Sequence, residues 1–267
     1  MEDKDLILEF LKTPLDSGDE IFGRFAALQG AIVGQGEKPL ERYVYVGGTR
    51  SDRVLLVAHA DTVWDKAYGK FEYSGHEVAF EDGVFTGAKA GCGIGADDRA
   101  GCAMLWKLKD SGHSILVLDG EEYGKHGAKY LKSSNPKLFK ELNKHSFIIE
   151  LDHMGTDHSS FRQIHNTKKF ESFFQNATGF LDRKQKGGCD LQILCKSVCG
   201  VNVGVGYVKQ HTENERLYLE KWQNTYQRLN EFLAKPQKRY IIPIRIRLEF
   251  FAKKCVYRCL KFLKIKK

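Results

Sequence analysis

The sequence predicts an α/β protein in three layers, with helices on both faces of a mixed, largely parallel sheet. Three observations predict it. Val54–Ala58 is a continuous apolar run of strand length, the pattern of a strand covered on both faces. Similar runs at Ser114–Leu118 and Ser146–Leu151 alternate with segments of helical period. The 267 residues, 42% of them hydrophobic, suffice for one sizeable core and fall short of two full domains.

The elements follow in order. A helix fits residues 3–12, with Leu6, Ile7, Phe10 and Leu11 on one side. Asp16-Ser17-Gly18 breaks the pattern, and a second helix fits 18–30. Arg42–Val46 and Arg53–His59 read as strands. A glycine-rich segment, Gly83–Gly95, leads into a helix over 98–110. Gly200–Tyr207 alternates valine with glycine or asparagine and reads as a last inner strand. Glu213–Leu233 reads as one long amphipathic helix through Leu217, Trp222, Leu229 and Phe232.

The formal charge of +8 is unevenly spread. Lys235–Lys267 carry 12 basic residues against one acid, Glu249, a balance of +11. The first 234 residues carry 30 basic and 33 acidic groups, a balance of −3. The expected organisation is therefore a mildly acidic body, 1–234, and a basic extension, 235–267. A basic groove through the fold is excluded as the source of the charge, so specific nucleic-acid binding is not expected. Within the extension, Leu248, Phe251, Ala252, Cys255, Val256, Cys259, Leu260 and Leu263 share a helical stripe with lysines and arginines beside it. That pattern over 248–263 suits packing on the body or in a dimer, an anionic membrane surface, or an acidic partner. Ile241–Arg247 alternates apolar and basic residues and reads equally well as a strand.

Compartment follows from the cysteines and the first residues. Seven cysteines, an odd number, accompany a start of Met1-Glu2-Asp3-Lys4-Asp5 with no basic or apolar leader pattern. A reducing cytoplasm is expected, with the tail as a possible peripheral membrane contact. Cys195-x-x-x-Cys199 lacks a second pair at zinc-finger spacing.

The strand ends hold the chemistry, and ligands of such sheets bind outside the carboxyl ends of the strands. Val54–Ala58 runs into His59-Ala60-Asp61, and the glycine-rich loop ends in Asp97-Asp98. Ile115–Leu118 runs into Asp119-Gly120-Glu121-Glu122, Phe147–Ile149 into Glu150-Leu151-Asp152, and Val201–Tyr207 leads to His211-Thr212-Glu213. Carboxylates gathered at a buried site repel one another unless cations neutralise them. Imidazoles among them suit zinc or a similar first-row ion. Taken singly, each residue has an ordinary structural explanation: a core histidine, a helix N-terminal acid, a cap. Five in order at successive strand ends make that conjunction a poor explanation.

This order resembles the co-catalytic zinc aminopeptidases and related zinc amidohydrolases over about residues 10–233. The strings that carry it are Val57-Ala58-His59-Ala60-Asp61-Thr62-Val63, Gly95-Ala96-Asp97-Asp98-Arg99-Ala100-Gly101, Gly120-Glu121-Glu122-Tyr123-Gly124 with Gly127-Ala128, Glu150-Leu151-Asp152, and Gly206-Tyr207 with His211-Thr212. The resemblance implies a three-layer zinc-aminopeptidase-like phosphorylase/hydrolase fold with two divalent ions: zinc, or cobalt or manganese. It implies that His59 and Asp152 hold one ion, that Glu122 and His211 hold the other, and that Asp97 bridges them. Asp61 would orient His59, and Glu121 would be the general base and acid. The implied reaction is attack of a dizinc-bound hydroxide on the carbonyl of a peptide or N-acyl amino acid. A deacylase or glutaminyl-cyclase-like enzyme on the same scaffold is the alternative. A non-catalytic binding protein anchored by its tail is the other.

Asp61 to Asp97 is 36 positions and Asp152 to His211 is 59, too short for an inserted dimerisation or lid domain. The architecture thus resembles the compact single-domain enzymes, while Asp97-Asp98-Arg99-Ala100-Gly101 resembles the two-domain oligomeric ones. Asp190 resembles a substrate-binding acid of the pocket wall and reads equally as a turn residue. Glu215 is an exposed helix acid or a partner behind His211. His153, Asp157 and His158 are expected as loop residues rather than alternate ligands, and Cys92 and Cys102 as small buried side chains.

Overall fold

Every side chain of Leu55–His59 is buried, because this strand has hydrogen-bonded neighbours on both edges and helices on both faces. The computed structural model describes residues 1–69, 74–89, 91–162, 164–183 and 188–249. In chain order these form α1 (Asp3–Leu11), α2 (Asp19–Ala26), β1 (Ile32–Gln35), β2 (Arg42–Val46), β3 (Leu55–His59), a 3-10 turn (Lys66–Tyr68), β4 (Val78–Glu81) and β5 (Val84–Gly87). Then come α3 (Ala96–Leu108), β6 (Ser114–Leu118), α4 (His126–Ser134), α5 (Pro136–Leu142), β7 (Ile148–His153), β8 (His158–Ser160), α6 (Lys168–Thr178) and β9 (Leu181–Asp182). The last are α7 (Leu191–Leu194), β10 (Gly200–Gly204), β11 (Tyr207–Val208), β12 (Arg216–Tyr218) and α8 (Leu219–Ala234).

The main sheet has eight strands in the order β1-β2-β6-β3-β7-β10-β8-β9. Its centre, β6-β3-β7-β10, is parallel throughout. β1, β2 and β8 join antiparallel, so the sheet is mixed with a parallel heart. On one face, α1, α2 and α3 share the Phe10, Phe25 and Trp106 ring cluster, and α8 packs beside α1 and α3. On the other, α4 packs on β2 and against α5 and α7. The three layers expected from the sequence are present.

Several boundaries differ from the expected ones, each for a physical reason. The glycine-rich stretch begins within a second, antiparallel sheet, β11-β12-β5-β4. The expected strand over 200–207 divides in two at Gly206, whose φ of +101° turns the chain out of the main sheet and into the second. The expected helix over 213–233 begins at Leu219, because Arg216–Tyr218 pair with β5 first. The second helix ends at Ala26, and Gly30, with φ +76°, redirects the chain into β1. Residues 235–242 lie along the body: Tyr240 stacks on Phe173 and Ile242 is buried. Ile241 makes an isolated antiparallel bridge to Val198, and 244–249 are helical. The tail pattern over 250–263 falls outside the described residues. The five described cysteines are all free and buried.

His145 closes the amino edge of the sheet. Its Nδ1 lies 3.0 Å from the Leu142 carbonyl oxygen and its Nε2 2.8 Å from Ser114 Oγ. A neutral ring that donates at Nδ1 and accepts at Nε2 satisfies both contacts. Burial, helped by Arg53, pushes its pKa down to about 4. A free histidine titrates near 6.5, so between those values the unfolded chain binds the extra proton. The stability His145 contributes is therefore complete above about pH 6.5 and is lost as pH falls towards about 4. Urea unfolding should show the free energy falling across that window by as much as about 3 kcal/mol from this residue. His145→Gln should flatten that fall, and an unchanged slope would contradict the neutral assignment.

Candidate metal centre

The parallel strands bring their carboxyl ends to one edge. There β3 ends in His59, β6 runs into Glu121 and Glu122, and β7 carries Asp152. Asp97 lies at the start of α3, and its peptide bond to Asp98 is cis. His211 comes from the turn between β11 and β12 with a φ of +63°. Helix α3 approaches this edge closely because residue 101 is glycine. A Cβ there would lie 2.1 Å from the Leu151 carbonyl oxygen and 2.2 Å from Asp98 Oδ1.

The six side chains converge. Asp97 Oδ1 is 3.2 Å from His59 Nε2, and Asp97 Oδ2 is 3.0 Å from His211 Nε2. One carboxylate thus faces two imidazoles, one with each oxygen. Asp152 Oδ1 lies 3.3 Å from His59 Nε2, and Glu122 Oε1 lies 2.9 Å from His211 Nε2. Glu121 stands beside them, with Lys125 Nζ 3.0 Å from its Oε1. Among the described residues, two groups have ligand atoms within 4.8 Å of one another and could hold an ion: His59, Asp97 and Glu122, and His59, Asp98 and Asp152. Asp98 is otherwise engaged, since its two oxygens accept from His59 N at 3.1 Å and Gly101 N at 3.0 Å.

Around this cluster stands a ring of supporting contacts. Asp61 lies 3.3 Å from His59 Nδ1 and accepts from Tyr68 Oη and from the backbone N–H groups of Glu121 and Glu122. Tyr207 Oη donates to Asp152 at 3.2 Å, and Asn202 bonds the Asp152 backbone on both sides. Glu215 is buried and accepts from Ile94, Gly95 and Asp97 N–H at 2.9, 2.7 and 3.0 Å. It therefore holds the segment that presents Asp97, and it is not an exposed helix acid. Tyr207 stands in one of the resemblance strings but carries no role there, and Asn202 and Tyr68 are not singled out by the sequence, since hydroxyls and amides carry no spacing signal of their own.

The charges are under tension. Burial, then the charge of Asp97, pushes Glu122 up to about 8 and Asp152 up to about 7. Burial also raises Glu121. Asp97 is held below the usual range, because bonds from His211 and His59 outweigh its burial. His211 is raised to about 11, since Asp97 and Glu122 outweigh burial. Glu122 Oε1 is buried, and although His211 is close it makes no hydrogen bond. A donor set of imidazoles and oxygens with one buried carboxylate oxygen unbonded fits divalent cations, which would satisfy that oxygen and neutralise the acids.

A cavity of about 350 Å³ opens on the cluster, lined among others by Asp97, Glu121, Glu122, Asp152 and His211 and by the side chains of Lys125 and Arg162. Asp190 is fully buried at the start of α7 and is not a lining residue, although its neighbours Gly188 and Cys189 are. Neither Asp190 carboxylate oxygen has a hydrogen-bond partner among the described residues. His153 ends β7 and His158 opens β8, so neither is the loop residue expected from the sequence, while Asp157 lies in the turn between them; His153 and His158 contact the carbonyls of Met154 and Thr156, and Asp157 pairs with Arg228. Cys92 and Cys102 are buried side chains outside the cluster.

A parallel-centred sheet with imidazoles and carboxylates gathered at its carboxyl edge defines the class of α/β metallopeptidases. Residues 43–186, more than half of the chain, match peptidase family M28, and the chain belongs to that family. No curated protein matches it. By fold it is similar to the aminopeptidase PepT from Bacillus cereus, at 14% identity and a TM-score of 0.61 over 88% of this chain and 100% of that one. A tripeptidase from Staphylococcus aureus is similar at 15% identity and 0.61, over 88% and 98%. So is the TET1 peptidase of Pyrococcus horikoshii, at 12% and 0.56, over 87% and 98%. At these identities the likeness concerns the fold.

Glu215 supplies a test of how Asp97 is held. Glu215→Ala strips three buried N–H groups of their acceptor, and each unsatisfied group costs about 1 kcal/mol or more. Denaturant unfolding should therefore show a loss of about 3 kcal/mol. A loss within experimental scatter would mean that these bonds do not support the loop.

Proposed function

We propose that this protein is a metal-dependent hydrolase of peptide or amide bonds, acting as an aminopeptidase. One observation supports this above the others: Asp97 lies between His59 and His211 with one oxygen toward each, and Glu121 stands on the same cavity outside that set. In this reading His59 and Asp152 would hold one ion, His211 and Glu122 would hold a second, and Asp97 would serve both. The mixed imidazole and carboxylate set suits zinc, with cobalt and manganese as alternatives. Two such ions, when bound, make water a nucleophile near neutral pH and polarise a carbonyl.

The chain's own residues do the rest. Glu121 takes the proton of the attacking water on its carboxylate and returns it to the departing amine. Asp61 fixes the His59 ring, while Tyr207 and Asn202 fix Asp152. The cavity lies at the small end of the usual range, which suits a short peptide or the end of a longer one. A second reading, a deacylase or glutaminyl-cyclase-like amidohydrolase, is favoured by Arg162 on the cavity wall, a match for the free carboxylate of an N-acyl amino acid.

Release from aminoacyl amides and nitroanilides should be abolished by a chelator and restored by zinc. Glu121→Gln should keep its metal and lose about 10²–10⁴ in kcat. Absence of chelator-sensitive release from every aminoacyl, N-acyl and glutaminyl substrate would refute both readings. A fully active Glu121→Gln would refute the assignment of the base.

A further inference from the structure

Position 125 asks for a residue other than the one it has. Lys125 is the N-cap of α4, where a short side-chain acceptor such as Ser, Thr, Asp or Asn would bond the first turn. Its side chain makes no such bond. Its backbone has a φ of +64°, in the left-handed region that glycine or asparagine enters at less cost. A lysine there satisfies neither local demand, so its reason lies in where the side chain goes.

The loop sends it inward. Gly120 at φ +71° and Gly124 at φ +118° fold the chain back after the acidic pair, and the N–H groups of Gly124 and Lys125 return to the Glu121 carbonyl at 3.1 and 3.2 Å. Gly127 is pinned by the Arg42 and Asp119 carbonyl oxygens, which a Cβ would meet at 2.4 and 2.7 Å. From this rigid turn the Lys125 side chain, 16% exposed, extends along the cavity wall to Glu121 Oε1 at 3.0 Å. The ammonium lies off the hydrogen-bonding direction of that oxygen, so the contact is an ion pair. A cation held at Oε1 by a rigid turn gives the Glu121 carboxylate a defined resting place.

We propose that Lys125 is a positioning residue that holds the Glu121 carboxylate, by ion pairing at Oε1, where it meets the proton of the attacking water. The proposal rests on the hydrolase reading above. It assigns to Lys125 no contact with substrate.

Two measurements test it. The first needs no turnover: acylation of the full-length protein with an acetyl N-hydroxysuccinimide ester, mapped by mass spectrometry. Lys125 should be modified several-fold faster in Glu121→Gln than in wild type, because the pairing that holds the amine protonated is gone. Equal rates would overturn the proposal. The second is kinetic. Lys125→Met should lower kcat by about 10²-fold, the scale of a misplaced catalytic group, with KM, metal content and unfolding midpoint little changed, and Lys125→Arg should recover part of the loss. Unchanged kcat, a rise confined to KM, or a loss of metal would each overturn it. Wild-type protein that cleaves no substrate would defeat the hydrolase reading instead, and the acylation rates would still decide whether Lys125 and Glu121 are paired.

Discussion

Four carboxylates and two imidazoles from five chain segments meet at the carboxyl edge of the sheet, most of them out of water, and their mutual repulsion governs what surrounds them. Charges so placed are costly unless each is paired or neutralised. Asp97 resolves part of the conflict by facing both imidazoles. Glu122 and Asp152 remain pushed towards protonation. Cations between them would turn the same crowding into binding energy, which is the sense in which this protein's acidity is functional.

The fold supplies the rigidity that such crowding requires. Backbone N–H groups donate hydrogen bonds to the carboxylates of Asp61, Asp98 and Glu215, none of which is in the proposed ion-binding set. Gly101 lets α3 approach close enough for Asp97 and Asp98 to reach the strand ends. The small second sheet has a comparable role for His211, because the β11–β12 turn carries that ring to the cluster and Glu215 anchors the base of the same turn. Positioning thus comes from backbone hydrogen bonds and close approaches more than from side-chain pairing.

Much of this was legible in the sequence, for reasons that can be stated. Ser114–Leu118 matched its expected bounds because a strand buried on both faces is a bare apolar run. His59, Asp97, Glu121, Glu122, Asp152 and His211 could be picked out because parallel strands place successive carboxyl ends together. The second sheet was hidden, since Gly206 breaks a valine alternation that looks continuous in sequence. Glu215 looked like a surface acid because its partners, the N–H groups of Ile94, Gly95 and Asp97, lie far away in sequence. Lys125 was invisible for the same reason: only the folded loop turns it towards Glu121. The basic excess is confined in sequence to 235–267, so the net charge of the whole chain says little about its site.

The central claim is that the crowded carboxylates exist to hold two cations, with Asp97 between them. Elemental analysis of purified protein after exhaustive dialysis, wild type beside Asp97→Asn, tests it most directly. The account predicts about two divalent ions per chain in the wild type, as two-metal hydrolytic sites require, and a clear loss in the variant. Wild-type protein that retains no tightly bound ion, or a variant that retains the full complement, would contradict it.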